Sequence, residues 1–201
     1  MINHRDAPHG ANPERGRNPS KRDHLVAVAT DLFWRDGFHA TGIDKILREA
    51  SVAKMTLYKH FATKEHLIVA CLEHLATGSR KELDAHLASV AGDGRARLIA
   101  TFEWYADWAH GKDFRGCPFQ HALGEFSDGT HPAHHVACSL KAMMLERLGE
   151  LAGAAALRDP GAAAEELLLV LEGVLAAGAS RSLPDLRASA LRLAGRVIDG
   201  D

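Results

Sequence analysis

The chain has 201 residues, of which 46% are hydrophobic and 25% charged, and a formal net charge of −2. That suits one or two soluble globular domains with a real core and excludes a disordered or fibrous chain. Cys71, Cys117 and Cys138 are odd in number and irregular in spacing, which excludes a disulfide framework, and no apolar run reaches the ~18 residues of a membrane span. The N-terminus has no apolar h-region, so the expected location is the cytoplasm, with reduced thiols and no membrane partner. Charge is unevenly placed: residues 1–70 hold 11 Lys/Arg against 8 Asp/Glu, whereas residues 71–201 hold 13 against 18. A basic N-terminal module on an acidic body fits nucleic-acid binding at one end.

Residues 1–18 are rich in Pro, Gly, Asn, Arg and His and have almost nothing to bury, so they read as a disordered arm. Ser20 and Asp23 form a capping box opening a helix to about Asp36, with Leu25, Val28, Ala29, Leu32 and Phe33 inward and Gly37 as its stop. Thr41 and Asp44 make a second capping box, before a short helix with Ile43, Ile46, Leu47 and Ala50 on one face. Ser51-Val52-Ala53 turns the chain. Lys54 to His60 then form two helical turns, with Leu57 and Phe61 inward at i, i+4. The opposite face carries Lys54, Thr56, Tyr58, Lys59 and His60, a concentration of hydrogen-bond donors suited to phosphates and base edges of a DNA groove.

Thr63 caps a long helix from Lys64 to about Val90, with Gly78 as a point where it can bend. Further helices are expected over about 95–109, from Pro118 to about Phe126, from Pro132 to about Leu151, from Pro160 to about Ser180 and from Pro184 to about Ile198. No period-two alternation is long enough for a strand, so the chain is all-α.

The stretch Thr41–Lys64 resembles the DNA-binding domain of the TetR family of bacterial transcriptional regulators. The residues that carry the likeness are Thr41, Ile43, Ile46, Ala50, Val52, Thr56-Leu57-Tyr58-Lys59-His60-Phe61 and Lys64-Glu65, in order and spacing over roughly residues 20–70. Two positions depart from the pattern. The family's turn glycine is Ser51, so a non-glycine residue takes a positive φ there, and the serine that caps the recognition helix is Ala53. The resemblance implies an N-terminal three-helix helix-turn-helix DNA-binding domain (19–64) and a C-terminal helical ligand-binding and dimerisation domain (65–201). It implies a palindromic double-stranded operator, a homodimer and a small-molecule effector of unspecified identity. Thr41, Tyr58, His60 and Lys64 are assigned to phosphates, and Lys54, Thr56 and Lys59 to bases or their surroundings.

In the C-terminal part, the run Leu167–Leu171 is apolar nearly all the way round, as in a helix buried on more than one side. Leu140, Leu168, Leu171 and Leu175 are the candidate dimer contacts, with Gly173, Ala176, Ala177 and Gly178 permitting close approach and the helix from Pro132 as companion. Phe102, Tyr105, Trp108, Cys117, His121 and Glu125 are the candidate effector pocket. Two alternatives stand beside this. His131, His134, His135 and Cys138 sit at i, i+4 spacings that can hold a metal ion, and Cys117, at a helix N-terminus, can be a reactive thiol. No cofactor is expected. The chain lacks a Gly-rich phosphate loop, H-E-x-x-H and G-x-S-x-G, so it is not expected to be an enzyme.

Overall fold

A computed structural model describes residues 20–200. The described residues form nine α-helices and no strand: α1 (Lys21–Asp36), α2 (Ile43–Ala50), α3 (Lys54–His60), α4 (Lys64–Ala88), α5 (Gly94–His110), α6 (Pro118–Glu125), α7 (Pro132–Ala154), α8 (Pro160–Ser180) and α9 (Leu186–Asp199). The arm expected over residues 1–18 lies outside them. The boundaries follow local chemistry. Ser20 Oγ accepts from the Asp23 amide at 3.2 Å, and Asp93, Asp159 and Asp185 cap α5, α8 and α9 in the same way. Pro160 occupies the first turn of α8, where a missing N–H costs nothing. Pro184, expected to open α9, instead precedes the Asp185 cap. α4 continues unbroken through Gly78.

The chain divides into two compact units. One comprises residues 20–80 with 118–138, and the other residues 81–117 with 139–200. The division expected after residue 64 follows the helix-turn-helix along the sequence, whereas compactness also gathers most of α4, and α6, with the first unit.

In the first unit, α1, α2 and α3 pack on one another around Leu25, Leu32, Phe33, Ile46 and Leu57, with Leu67, Ile68 and Leu72 of α4 in the same core. Phe38 closes this core against Phe33 (ring centroids 5.3 Å) and Phe126 (5.7 Å). Cys71 donates to the Val26 carbonyl, and burial pushes its thiol pKa up to about 12, so it is an inert packing residue.

In the second unit, α5, α8 and α9 pack mutually. Gly178 is where α8 meets α5. A Cβ there would lie 2.7 Å from Ala109 Cβ and 2.8 Å from its carbonyl oxygen, so only glycine permits the approach. Gly178 thus serves contact within the protomer, not with a partner as expected. Within the protomer α8 packs chiefly on α5 and α9, and it meets the helix from Pro132 where Lys141 pairs with Glu172.

Candidate nucleic-acid interface

α2 and α3 are joined by the turn Ser51-Val52-Ala53. Ser51 lies in the left-handed region (φ 53°, ψ 43°), and its amide bonds back to the last turn of α2. His24 Nε2–H donates to the Ala50 carbonyl at 3.0 Å, tying the end of α2 to α1. Ala53 precedes α3 and offers no side-chain cap. Leu57 is fully buried and Phe61 nearly so, which fixes the rotation of α3. At about 100° per residue, that rotation turns Met55 and Lys59 away from the core, and Lys54, Tyr58 and His60 are exposed along with them. Thr56 is half-buried. No acidic residue lies on α3, although Lys54 Nζ is 3.9 Å from Asp44.

Two expected DNA residues are placed differently from the rest. Thr41 is fully buried and its hydroxyl donates to the Leu32 carbonyl at 3.3 Å. A side chain with no accessible surface does not reach a phosphate. Nor does Thr41 cap α2, whose N-cap is Gly42. Thr41 therefore belongs to the fold of this unit. Lys64 is half-buried. Its ammonium donates to the His39 carbonyl at 3.4 Å and sits 6.0 Å from the Phe33 ring centroid. Burial lowers its pKa, with Glu65 and Glu125 opposing.

Beside this surface, Glu125 at the end of α6 accepts from the Phe38 amide at 2.9 Å and the His39 amide at 2.7 Å, one bond to each carboxylate oxygen. Its role is to hold the segment between α1 and α2, so it is not free to line a pocket. Lys45 donates to Asp36 at 3.0 Å, and the hydrogen bonds from Lys45 and Arg35 hold the Asp36 carboxyl below the usual range.

The other pocket candidates fall in both units. His121 and Glu125 belong to the first. Phe102, Tyr105, Trp108 and Cys117 belong to the second, where Tyr105 meets Trp104 edge-on (4.8 Å) and Trp108 meets Phe114 (4.8 Å). Phe102 is 1% exposed and is a core residue. Lys141 Nζ lies 3.8 Å from Cys117 Sγ and pairs with Glu172. Burial raises the Tyr105 pKa, and its hydroxyl donates to Met144 Sδ at 3.9 Å. A groove of about 420 Å³ lies elsewhere, lined by Leu169, Val170, Gly173, Leu183, Leu186 and Leu193 among others.

Of the metal candidates, His131 stacks flat on Phe126 (4.2 Å, 6°), and its Nδ1 accepts from the Ala133 amide. His134 Nδ1–H donates to the Phe126 carbonyl at 2.7 Å. Both rings are turned to Phe126, and among the described residues no group of three or more His, Cys, Asp or Glu side chains is disposed to hold a metal ion. The expected dimer leucines also divide. Leu171 and Leu175 are buried within the protomer, because that side of α8 packs on its own unit, while Leu140 and Leu168 are half-buried. Leu169, missed in the sequence, is 73% exposed.

A family model described as bacterial regulatory proteins of the tetR family matches residues 25–71, the helices just described. The crystal structure of a TetR-family transcriptional regulator from Streptomyces coelicolor matches with a TM-score of 0.84 at 30% identity, over 90% of this chain and 95% of that one. The chain belongs to the TetR family. Among curated proteins, the HTH-type transcriptional activator FasR of Mycolicibacterium smegmatis is 35% identical over 107 residues, 50% of this chain and 47% of its own. The HTH-type transcriptional repressor NemR of Escherichia coli is 33% identical over 82 residues, 41% of each. The chain thus spans under half the length of these two curated relatives. The reduced form of E. coli NemR shares the TetR fold over 88% of this chain (TM-score 0.78, 23% identity).

Proposed function

We propose that the protein is a homodimeric, sequence-specific DNA-binding transcriptional regulator of the cytoplasm, a repressor that a small-molecule effector releases from a palindromic operator. The observation that carries this reading is the outward face of α3. Lys54, Tyr58, Lys59 and His60 are exposed there on a helix held from behind by Leu57 and Phe61. A donor-rich helix of that kind fits a major groove, with its first residues at base edges and its flanks at phosphates. Lys54, Thr56 and Lys59 are assigned to bases and Tyr58, His60 and Lys64 to phosphates; Thr41 leaves the set.

Dimerisation is assigned to the outer face of α8 and α9. Leu169 on α8, Leu193 on α9 and Leu183 in the loop between them are 73%, 48% and 44% exposed, and a Cβ added at Gly173 would meet nothing within 4 Å. An apolar face of this kind marks a protein–protein contact. A two-fold pair then places two α3 helices on half-sites one DNA turn, ~34–36 Å, or a multiple apart.

Effector binding belongs to the C-terminal helices around Tyr105, Trp108 and Cys117. By linkage, DNA weakens effector binding by the factor by which effector weakens DNA binding. The experiment is selection of a preferred duplex from a random pool, followed by titration against unrelated competitor. Enrichment of an inverted repeat supports the reading, and an unenriched pool refutes it. A second reading, a thiol sensor at Cys117, has one observation in its favour: the Lys141 ammonium 3.8 Å away. Full release of Cys117→Ser from DNA by an electrophile such as N-ethylmaleimide would end it.

A further inference from the structure

Met55 is 82% exposed, more than any other large hydrophobic side chain among the described residues. It lies in the first turn of α3, beside Lys54 and one turn before Lys59. The burial of Leu57 sets the rotation of this helix. At about 100° per residue, Met55 and Lys59 fall about 20° to either side of the direction opposite Leu57, so together they form the centre of the outward face. Tyr58 and Lys54 lie to one side of that line, Thr56 and His60 to the other.

A protomer core does not account for Met55, because most of its side chain faces solvent. A docking protein is a poor match as well. The other exposed side chains of α3, Lys54, Tyr58, Lys59 and His60, are cationic or polar, with only the Tyr58 ring apolar among them. A duplex supplies both chemistries at once. Its phosphates match the lysines, and its major groove offers one apolar group, the C5-methyl of thymine, next to the acceptor O4 of the same base. The thioether of methionine is flexible and polarisable and adapts to such a methyl. Lys59, about 40° away on the same face, is placed to donate to the adjoining acceptor.

We infer that Met55 is a specificity-determining residue that reads a thymine methyl in each operator half-site, with Lys59 beside it on the same base or its neighbour. The inference rests on the DNA-binding reading given above. It adds a base identity to a surface otherwise rich in donors, which bind many sequences alike.

The test is a thymine-to-deoxyuracil scan of the selected operator with the full-length protein. Each substitution removes one methyl and leaves the Watson–Crick edge unchanged. Wild-type protein should lose about fourfold in affinity at one symmetric thymine per half-site, and about fifteenfold when both are replaced, the effect of about one buried methyl each. Met55→Ala should bind the thymine operator more weakly by a similar factor and show no further loss on uracil at that position. Met55→Leu, still apolar, should retain most of the sensitivity. A selected operator with no uracil-sensitive thymine, or a Met55→Ala protein as sensitive as wild type, overturns the inference while DNA recognition stands. A pool that yields no preferred duplex overturns the DNA-binding reading, and this inference with it.

Discussion

Glu125 and His39 hold one another twice. The His39 amide donates to Glu125 Oε2 at 2.7 Å, and His39 Nε2–H donates to the Glu125 carbonyl at 3.0 Å. The other carboxylate oxygen takes the Phe38 amide, and the His39 ring rests 4.8 Å from Phe126. The residues that lead into α2 are therefore positioned by the end of α6, 86 residues further along the chain. Removing that carboxylate should be felt in the first unit. Glu125→Ala is expected to cost about 2 kcal/mol, since two amides lose a charged acceptor. Glu125→Gln, with one acceptor oxygen left, should cost less. Urea unfolding reads both, and an unchanged midpoint for Glu125→Ala would show that the two bonds do not matter to stability.

The turn before α3 offers the opposite sign. Ser51 is exposed and holds a left-handed conformation that penalises any Cβ. Ser51→Gly should stabilise by about 1 kcal/mol, the relief of that penalty less the extra chain entropy of glycine. Ala53→Ser supplies the missing N-cap and should add about 1 kcal/mol. Because the two sites lie two residues apart, the double variant tests additivity as well. Destabilisation by either change would mean that the turn differs from the one described.

Acid should weaken the first unit through His74. Burial holds its pKa below the ordinary value of 6.5, against a smaller opposing pull from Asp23. As pH falls through 6.5, the unfolded chain takes up a proton that the folded protein resists. Stability is therefore fully present above that pH and declines below it. Unfolding midpoints between about pH 7.5 and 5.5 should fall less for His74→Gln than for wild type. Equal slopes would remove His74 from the account.

The dimer assignment is tested on α8. Leu169→Lys should shift the protein toward monomer in sedimentation while its helicity is unchanged, because the side chain touches little of its own protomer. Leu171→Lys should instead lower stability by about 3 kcal/mol or more, by burying a charge without a partner. If Leu169→Lys stayed dimeric, the α8–α9 face would not be the contact.

The contrast between Leu169 and Leu171 also shows where the sequence runs out. A helix apolar on every side announces that it is buried, but its periodicity does not say which leucine faces home, so the rotation of α8 is visible only once α5 and α9 are in place. Capping is a local matter and was legible at Ser20 and Thr63. Thr41 misled for the same local reason: its spacing to Asp44 is that of a cap, while its hydroxyl bonds to Leu32 in another helix. Nothing near Glu125 signals a partner at residues 38 and 39. Nothing in the sequence singles out Met55, and its exposure emerges only from the burial of Leu57 two residues later. The all-helical class and the α2–turn–α3 segment were legible because they rest on short-range patterns that neighbours reinforce.

The central claim, two copies of the chain each placing α3 in a groove of one duplex, is tested most directly by titrating the purified protein onto its selected operator and onto a scrambled duplex of equal length, with mass measured at saturation. The expected result is saturation at two chains per inverted repeat, or a multiple of two, with at least about a thousandfold preference over the scrambled sequence at physiological salt. Equal affinity for the two duplexes, or saturation by a single chain, would contradict it.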